Sequence, residues 1–339
     1  MKPLCALCTL LALALVLCAC SGSKKADMQY SETAMGVTFS VAAFGDGFSS
    51  SEFDSLCREA LTRVKNVEHV TDLKDSVSDV CRFNSEKWGI EDATPIFQEM
   101  ISAAMYAHDL TEGGYDPAIG LVTELWSRGG GAPQNERIEL ALLHSGARFV
   151  TVSEASVVKV DEKLHLDLGA IRYGYAVDEA LRLFDNSVLE RGSVTLGNTT
   201  GFFGTPEGEA FIYTARDQHG NETAKLKVPD GYISYAVNDY NSVTGTLSIV
   251  DPATGKPAQS DVVCAIIHCD SGTMSAAFAY AFCVSSSARS IGVWRKCPIA
   301  LDALLFTSDG TIYAMGGFAE DGAIELASSE YQITRIKEK

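Results

Sequence analysis

Basic residues are scarce in this chain of 339 residues: 27 Lys and Arg stand against 44 Asp and Glu, a net charge of −17. A protein that grips DNA or RNA needs a basic footprint to displace counterions from phosphate, so nucleic acid is excluded as a partner. Electrostatic attraction to an anionic membrane surface is excluded on the same ground. Histidine is sparse too, at six residues (His69, His108, His144, His165, His219 and His268), and no two sit at the helical spacing of a metal pair. Beyond the first twenty residues there is no CxxC pair and no Cys/His cluster at zinc spacing. The Gly-x-Ser-x-Gly elbow, His-Glu-x-x-His and the phosphate-binding P-loop are missing as well, which sets aside the commonest hydrolase and nucleotidase plans. No internal repeat and no long linker follows residue 30. The 46% hydrophobic and 21% charged content nevertheless suits a chain that buries a substantial core.

The one long apolar run is at the start. Lys2 precedes Pro3 to Ala19, about 17 nearly unbroken apolar residues, which is short for a ~30 Å hydrocarbon core. It ends in Leu17-Cys18-Ala19-Cys20, followed by the polar Ser21-Gly22-Ser23-Lys24-Lys25. This resembles a bacterial lipobox, in which cleavage leaves Cys20 as a lipidated N-terminus. An ordinary signal peptide or a short anchor are the other readings, and all three take the domain out of the cytoplasm. The expected organisation is a lipoprotein signal peptide at 1–19, a lipidated cysteine and tether at 20–29, and one domain at 30–335, held to a bacterial envelope membrane on its outer side. Six cysteines remain after Cys20, an even number that permits disulfides in fifteen pairings. Cys283, inside the apolar run 276–284, reads as buried and inert.

Periodicity predicts a strand at 37–41 and helices at 51–70, 94–110, about 116–126, 133–143 and 171–184. Strands are expected at 149–153, 157–160 and 164–168, with His165 facing solvent. The second half reads as strands at 193–196, 209–216, 223–228, 232–237, 246–250 and 262–268, a helix at 273–287, and strands near 299–306 and 311–316. Helices and strands mix without a regular βαβ rhythm, so the fold class is α+β with largely antiparallel sheet.

Five segments carry more than packing requires: Met35-Gly36-Val37-Thr38; Asp75 to Asn84; Gly113-Gly114-Tyr115-Asp116-Pro117-Ala118-Ile119-Gly120 through Leu125-Trp126; Asp167-Leu168-Gly169-Ala170-Ile171-Arg172-Tyr173-Gly174-Tyr175-Ala176-Val177-Asp178; and Asp251-Pro252-Ala253-Thr254-Gly255. Singly, each has a plain explanation. Asp-Pro and Asp-Pro-x-Thr-Gly are turn chemistry. Gly169 and Gly174 either relieve crowding at a strand-to-helix switch or open a cradle of backbone N–H groups for phosphate.

Together and in this order they resemble the ApbE family, the FAD:protein FMN transferases, from about Tyr30 to Ala327. The resemblance implies an α+β, T-fold-like domain with mixed, largely antiparallel sheets, flanking helices and a cleft between lobes that takes FAD, with Mg²⁺ at the pyrophosphate. It implies transfer of FMN to a Thr hydroxyl of an acceptor, often an exported redox-complex subunit, with AMP leaving; some members instead hydrolyse FAD. Carried over residue by residue, Met35 would lie at the flavin, Asp116 would contact the nucleotide, and Asp167, Gly169 and Ala170 would frame the pyrophosphate, where a backbone carbonyl such as that of Ala170 also reaches the metal.

The departures fall at the chemistry. The family's Lys position holds Tyr173, beside Arg172, and its His position before the Asp-Pro-x-Thr-Gly segment holds Ser248. The two side-chain metal positions hold Ala276 and Tyr280, and no Asp or Glu occurs between Ser271 and Lys296. Asp270 lies upstream on a different face. Mg²⁺ takes hard oxygen ligands, so an expected Mg²⁺ site looks degraded. Ser145-Gly146-Ala147-Arg148 approaches the family's acceptor sequence, but Arg148 replaces the hydroxyl residue. Three readings stay open: an FMN transferase or FAD pyrophosphatase, a catalytically degenerate FAD-binding surface lipoprotein, and a scaffold whose tyrosines fill the cleft.

Overall fold

The structure is a computed structural model that describes residues 27–337, apart from 46, 129–130, 185–186, 207, 242–245 and 248. The expected signal segment, Cys20 and Ser248 thus lie outside the described residues. Nine strands form one sheet whose order in space follows the order in the chain. They are β1 (Met28–Ala34), β2 (Val37–Phe44), β3 (Arg191–Leu196), β4 (Thr199–Phe203), β5 (Gly231–Val237), β6 (Val262–Cys269), β7 (Leu301–Thr307), β8 (Thr311–Met315) and β9 (Gln332–Ile336). All neighbours are antiparallel except β8 and β9. The α+β class with largely antiparallel sheet is therefore observed.

The helical layer is inserted between strands. Residues 45–190, between β2 and β3, carry α1 (Ser50–Thr71), α2 (Asp79–Ser85), α3 (Pro95–Leu110), α4 (Gly120–Ser127), α5 (Asn135–Leu143) and α6 (Arg172–Leu181). Between β6 and β7 come α7 (Gly272–Val284) and α8 (Ser287–Lys296). α1 starts where Ser49 and Glu52 form a reciprocal capping box, and it buries a stripe from Phe53 to Val67. Both faces of the sheet are covered. On β6, Ala265 and Ile267 enter the core under the helices, whereas Cys264 and Ile266 face a second core roofed by strands 211–216, 222–228 and 324–326. That is why β6 reads as a continuous apolar run.

Several expectations need correction. A strand, β1, precedes the first one expected and starts at Met28, two residues ahead of residue 30; Met35 and Gly36 close its hairpin to β2 with φ of 52° and 77°, as a two-residue turn of this hand requires. Strand β4, strand β9 and helix α8 were not foreseen. Asp116 does not cap a helix: α4 begins at Gly120, and no side chain caps it. The 164–168 segment is not a strand either. Leu164, Leu166 and Leu168 are buried as alternation predicts, but the backbone partners are not a ladder. Leu166 donates its N–H to Asn84 Oδ1 (2.8 Å) and accepts from Asn84 Nδ2 (3.1 Å), and Asp167 donates its N–H to the Pro117 carbonyl (2.8 Å). Lys159 Nζ donates to the Leu164 carbonyl (2.9 Å) from a buried position, where desolvation pulls its pKa down to about 8. His165 is half-buried and pairs with Glu124 rather than facing water alone.

Two contacts fix α6 against α7. The buried Asp178 carboxylate accepts the N–H groups of Gly272 (2.6 Å) and Thr273 (2.9 Å), the Thr273 hydroxyl (2.7 Å) and the Ser271 hydroxyl (3.3 Å). It thereby satisfies the orphan donors of a helix start that is itself buried. Beside it, Gly174 meets Gly272 backbone to backbone: a Cβ at Gly174 would sit 2.5 Å from the Gly272 carbonyl carbon and 3.0 Å from the Thr273 nitrogen. Gly174 is thus explained by crowding, the plainer of its two readings. Gly174→Ala should cost roughly 3 kcal/mol, because the new methyl runs into the Gly272–Thr273 main chain, which cannot swing aside as a side chain could. Gly292→Ala on α8, with open space around it, should instead gain about 0.5–1 kcal/mol. Urea-unfolding midpoints of the two variants, measured side by side, check the contrast.

Candidate functional site

A cleft of about 670 Å³ opens where α4, the 167–170 turn, α6 and α7 come together with the ends of β3 and β5. Of the residues singled out in the sequence, Asp116, Asp167, Gly169, Ala170, Tyr173, Ala276 and Tyr280 all line it. Met35 does not; its carbonyl accepts a hydrogen bond from the Tyr173 hydroxyl (3.4 Å), so it meets the cleft only through that ring. Asp270 is exposed and lies away from the lining.

Each carboxylate is first a local device. Asp116 Oδ1 accepts the Ala118 N–H (2.8 Å) and Oδ2 accepts the Ala147 N–H (3.2 Å), tying the Tyr115–Ile119 turn to the Gly146–Ala147 turn. Asp167 Oδ1 accepts the Gly169 N–H (2.7 Å), which folds the 167–170 turn around the carboxylate. Asp251 accepts the Ala253 N–H (2.9 Å) and the Thr254 hydroxyl (2.8 Å), closing the Asp-Pro-x-Thr-Gly turn whose Gly255 carbonyl receives Trp126 Nε1 (2.9 Å).

Tyrosines occupy two of the four positions where departures were read, 173 and 280. The Tyr173 ring lies flat on Gly197, where a Cβ would stand 2.6 Å from it, so the β3–β4 turn can approach only because that residue is glycine. Arg172 donates to the Tyr173 hydroxyl (3.1 Å), and the guanidinium is not part of the cleft lining. Tyr280 donates its hydroxyl to the Val250 carbonyl (2.8 Å) and accepts the Val250 N–H (3.0 Å), clamping the strand-like segment ahead of Asp251. Its ring packs edge-on against Tyr115, with centroids 6.2 Å apart and planes at 81°. Ala276, one turn earlier on α7, is buried and presents only a methyl group.

A protein-family model described as the ApbE family matches residues 35–305. The chain belongs to the ApbE family. Among curated relatives, the FAD:protein FMN transferase of Treponema pallidum (strain Nichols) is 25% identical over 249 residues, covering 65% of this chain and 68% of the relative. The FAD:protein FMN transferase of Vibrio cholerae (strain O395) is 24% identical over 322 residues, covering 89% of this chain and 94% of the relative. Among solved structures, the flavin transferase ApbE from Vibrio cholerae superposes with a TM-score of 0.73 at 20% identity, over 85% of this chain and 96% of that one. The ApbE protein of Thermotoga maritima gives 0.71 at 24% identity, over 84% and 96%. These superpositions establish the shared fold.

Within this ApbE fold, Ala276 and Tyr280, where the resemblance would put side-chain metal ligands, do not suit a hard divalent cation. Such an ion takes oxygen ligands, carboxylates above all. Ala276 has none to offer, and the Tyr280 hydroxyl already gives its proton and accepts one at Val250. Among the described residues, no group of three or more His, Cys, Asp and Glu is placed to hold a metal ion.

Glu124 and Tyr235 also line the cleft and were missed by sequence reasoning, whereas Asn198, another lining residue, stands in the Gly197-Asn198-Thr199 turn, which departs from the Gly-Gly-Asn that the resemblance implies. Tyr115 stood inside a quoted motif, but Asp116 drew the attention; only burial shows that the Tyr115 hydroxyl has no partner. Asn198 donates to the Tyr235 carbonyl (2.7 Å) and leaves its own Oδ1 buried and unbonded, which no sequence signal announces. Tyr280→Phe removes both bonds to Val250 and should cost roughly 1–3 kcal/mol. The Val250 amide should then exchange its hydrogen faster, and exchange at the wild-type rate would show that the hydroxyl does not hold this segment.

Proposed function

We propose that this ApbE-family chain is an exported, lipid-anchored protein that binds a flavin nucleotide of the FAD class in its cleft without carrying out metal-assisted FMN transfer at an appreciable rate. The observation that carries the reading is the state of α7: Ala276 is a buried methyl, and the Tyr280 hydroxyl is committed to Val250. In a transferase of this family the divalent ion neutralises the pyrophosphate as AMP departs. No side chain at these positions takes over that task. What the chain's own residues do is shape and line a cavity: Tyr115, Trp126, Tyr173, Tyr235 and Tyr280 supply aromatic surface, which suits the planar rings of a flavin nucleotide.

The competing reading is an active transferase or FAD pyrophosphatase, favoured by the curated relatives' names and by the cleft carboxylates Asp116, Glu124 and Asp167. One experiment separates them. The purified protein is incubated with FAD, Mg²⁺ and a Ser-Gly-Ala-Thr peptide, and AMP and the peptide mass are followed. FAD binding without AMP is expected, with AMP release rising in the Ala276→Asp, Tyr280→Thr double variant. AMP with FMN on the peptide would make the chain a transferase, and AMP alone a pyrophosphatase.

The anchor rests on Leu17-Cys18-Ala19-Cys20. Cys20→Ala should abolish fatty-acid labelling and move the protein out of the membrane fraction. Labelling that survives this substitution would refute lipidation at Cys20.

A further inference from the structure

The chain enters the domain at the end of the sheet farthest from the cleft. Asp27 donates its N–H to the Ala43 carbonyl (2.9 Å), and its Oδ2 accepts the Gly45 N–H (2.7 Å), so the entry point is pinned beside the last residues of β2. At that same end Phe44 pairs with Arg191, Gly192 with Phe203, and Gly231 with Phe202. The opposite ends of these strands meet the cleft: the Met35 carbonyl receives the Tyr173 hydroxyl, and Tyr173, Asn198 and Tyr235 line the wall. The eight residues of β2 set the two ends roughly 20–25 Å apart. α1 gives the same order of distance independently. It starts at Ser50, shortly after the Phe44 end, and its 22 residues run about 30 Å to Thr71, two residues before Leu73 in the cleft lining.

The link to Cys20 is short on this scale. Seven peptide steps join Cys20 to Asp27, and their covalent geometry spans at most about 25 Å. Only a link doubled straight back along the whole sheet would bring Cys20 level with the Met35-Gly36 turn. Carboxylates gather at the entry end, where Asp27 holds Gly45 and Glu190 and Glu209 flank Arg191. Attraction to lipid charge therefore does not lay the domain on its side; covalent attachment is what holds this end near the bilayer. We infer that the anchored protein stands with the Asp27 end toward the membrane and the cleft opening away from it, so that what enters the cleft is water-soluble and arrives from the aqueous side, never from within the lipid. The sheet acts as a spacer that lifts the cleft roughly 20 Å or more above the point of attachment. This rests on the proposed anchor at Cys20 and adds the direction in which the anchored cleft faces.

The test measures the height of the two ends above the lipid. The lipidated protein is placed in phosphatidylethanolamine–phosphatidylglycerol vesicles whose headgroups carry an energy-transfer acceptor. A fluorescent amino acid is introduced either at Val188, 44% exposed and three residues before Arg191, or at Val77, 63% exposed and four residues after Leu73. Neither position lines the cleft, and the buried thiols are left untouched. Transfer from position 188 should exceed that from position 77 by about twofold or more, given the roughly 30 Å length of α1 between the two ends. Equal transfer, or more from position 77, overturns the proposal. Adding about twenty Gly-Ser residues after Lys25 raises the maximum span to about 95 Å and should shrink the difference; a difference that survives unchanged shows that the short link does not set the orientation, and overturns it too. A chain without fatty acid at Cys20 fails the anchor reading itself, and the labelling of wild type against Cys20→Ala reads that separately from the comparison of heights.

Discussion

The cleft depends on one buried carboxylate. Asp178, on α6, accepts four hydrogen bonds from the first turn of α7 and so supplies the cap that a buried helix start cannot obtain from water. Desolvation raises the carboxyl's pKa while the four donors pull it back, which marks how fully the charge relies on them. The same contact brings Gly174 onto Gly272, so α6 and α7 approach at backbone distance. Everything across the cleft follows. The turn at 167–170 feeds into α6, and Ala276 and Tyr280 ride on α7, so the spacing of these walls is set by two main chains rather than by adjustable side chains. A change of ligand has to be made by replacing side chains on fixed walls.

Much of the frame was legible because it is written in periodicity. α1 and α3 show apolar spacing of helical period together with Ser49 and Thr94 caps, and β6 and β7 are apolar runs buried on both faces. What was not legible is where side chains substitute for the backbone. The alternation of Leu164, Leu166 and Leu168 correctly gives their burial, but the partner of that segment is the Asn84 amide, and no local pattern announces a side chain standing in for a strand. β1 was hidden for another reason: its residues are half exposed at the sheet edge, so the alternation that identifies a strand is diluted. In the site, sequence singled out Tyr173, Ala276 and Tyr280, and all three line the cleft. The orphaned hydroxyl of Tyr115 and the unbonded oxygen of Asn198 were not legible, since a missing partner is a property of three-dimensional neighbours.

Tyr280 shows how a side chain in the cleft wall can serve the scaffold. A hydroxyl can give one proton and accept from other donors, and this one does both with the backbone of a single residue, Val250. Val250 in turn bridges to Pro257, and the loop between them is pinned by Trp126 at Gly255. The loop bearing the Asp-Pro-x-Thr-Gly sequence is thus held from both ends by aromatic side chains through hydrogen bonds to its main chain. That arrangement needs no ligand to stand, and it takes the hydroxyl away from the cleft.

The carboxylates of the quoted motifs call for the opposite caution. Asp116 joins two turns through main-chain N–H groups, Asp167 closes its own turn, and Asp251 does the same. Each is fully accounted for by the fold, so its agreement with a family pattern testifies to the shared architecture and is silent about chemistry. The positions without such a local task, Ala276 above all, report on chemistry more directly, because nothing in the scaffold requires the residue found there. Fold and reaction are separate questions in this chain: the carboxylates that build its turns are explained by architecture alone, whereas Ala276 presents only a buried methyl group to the cleft.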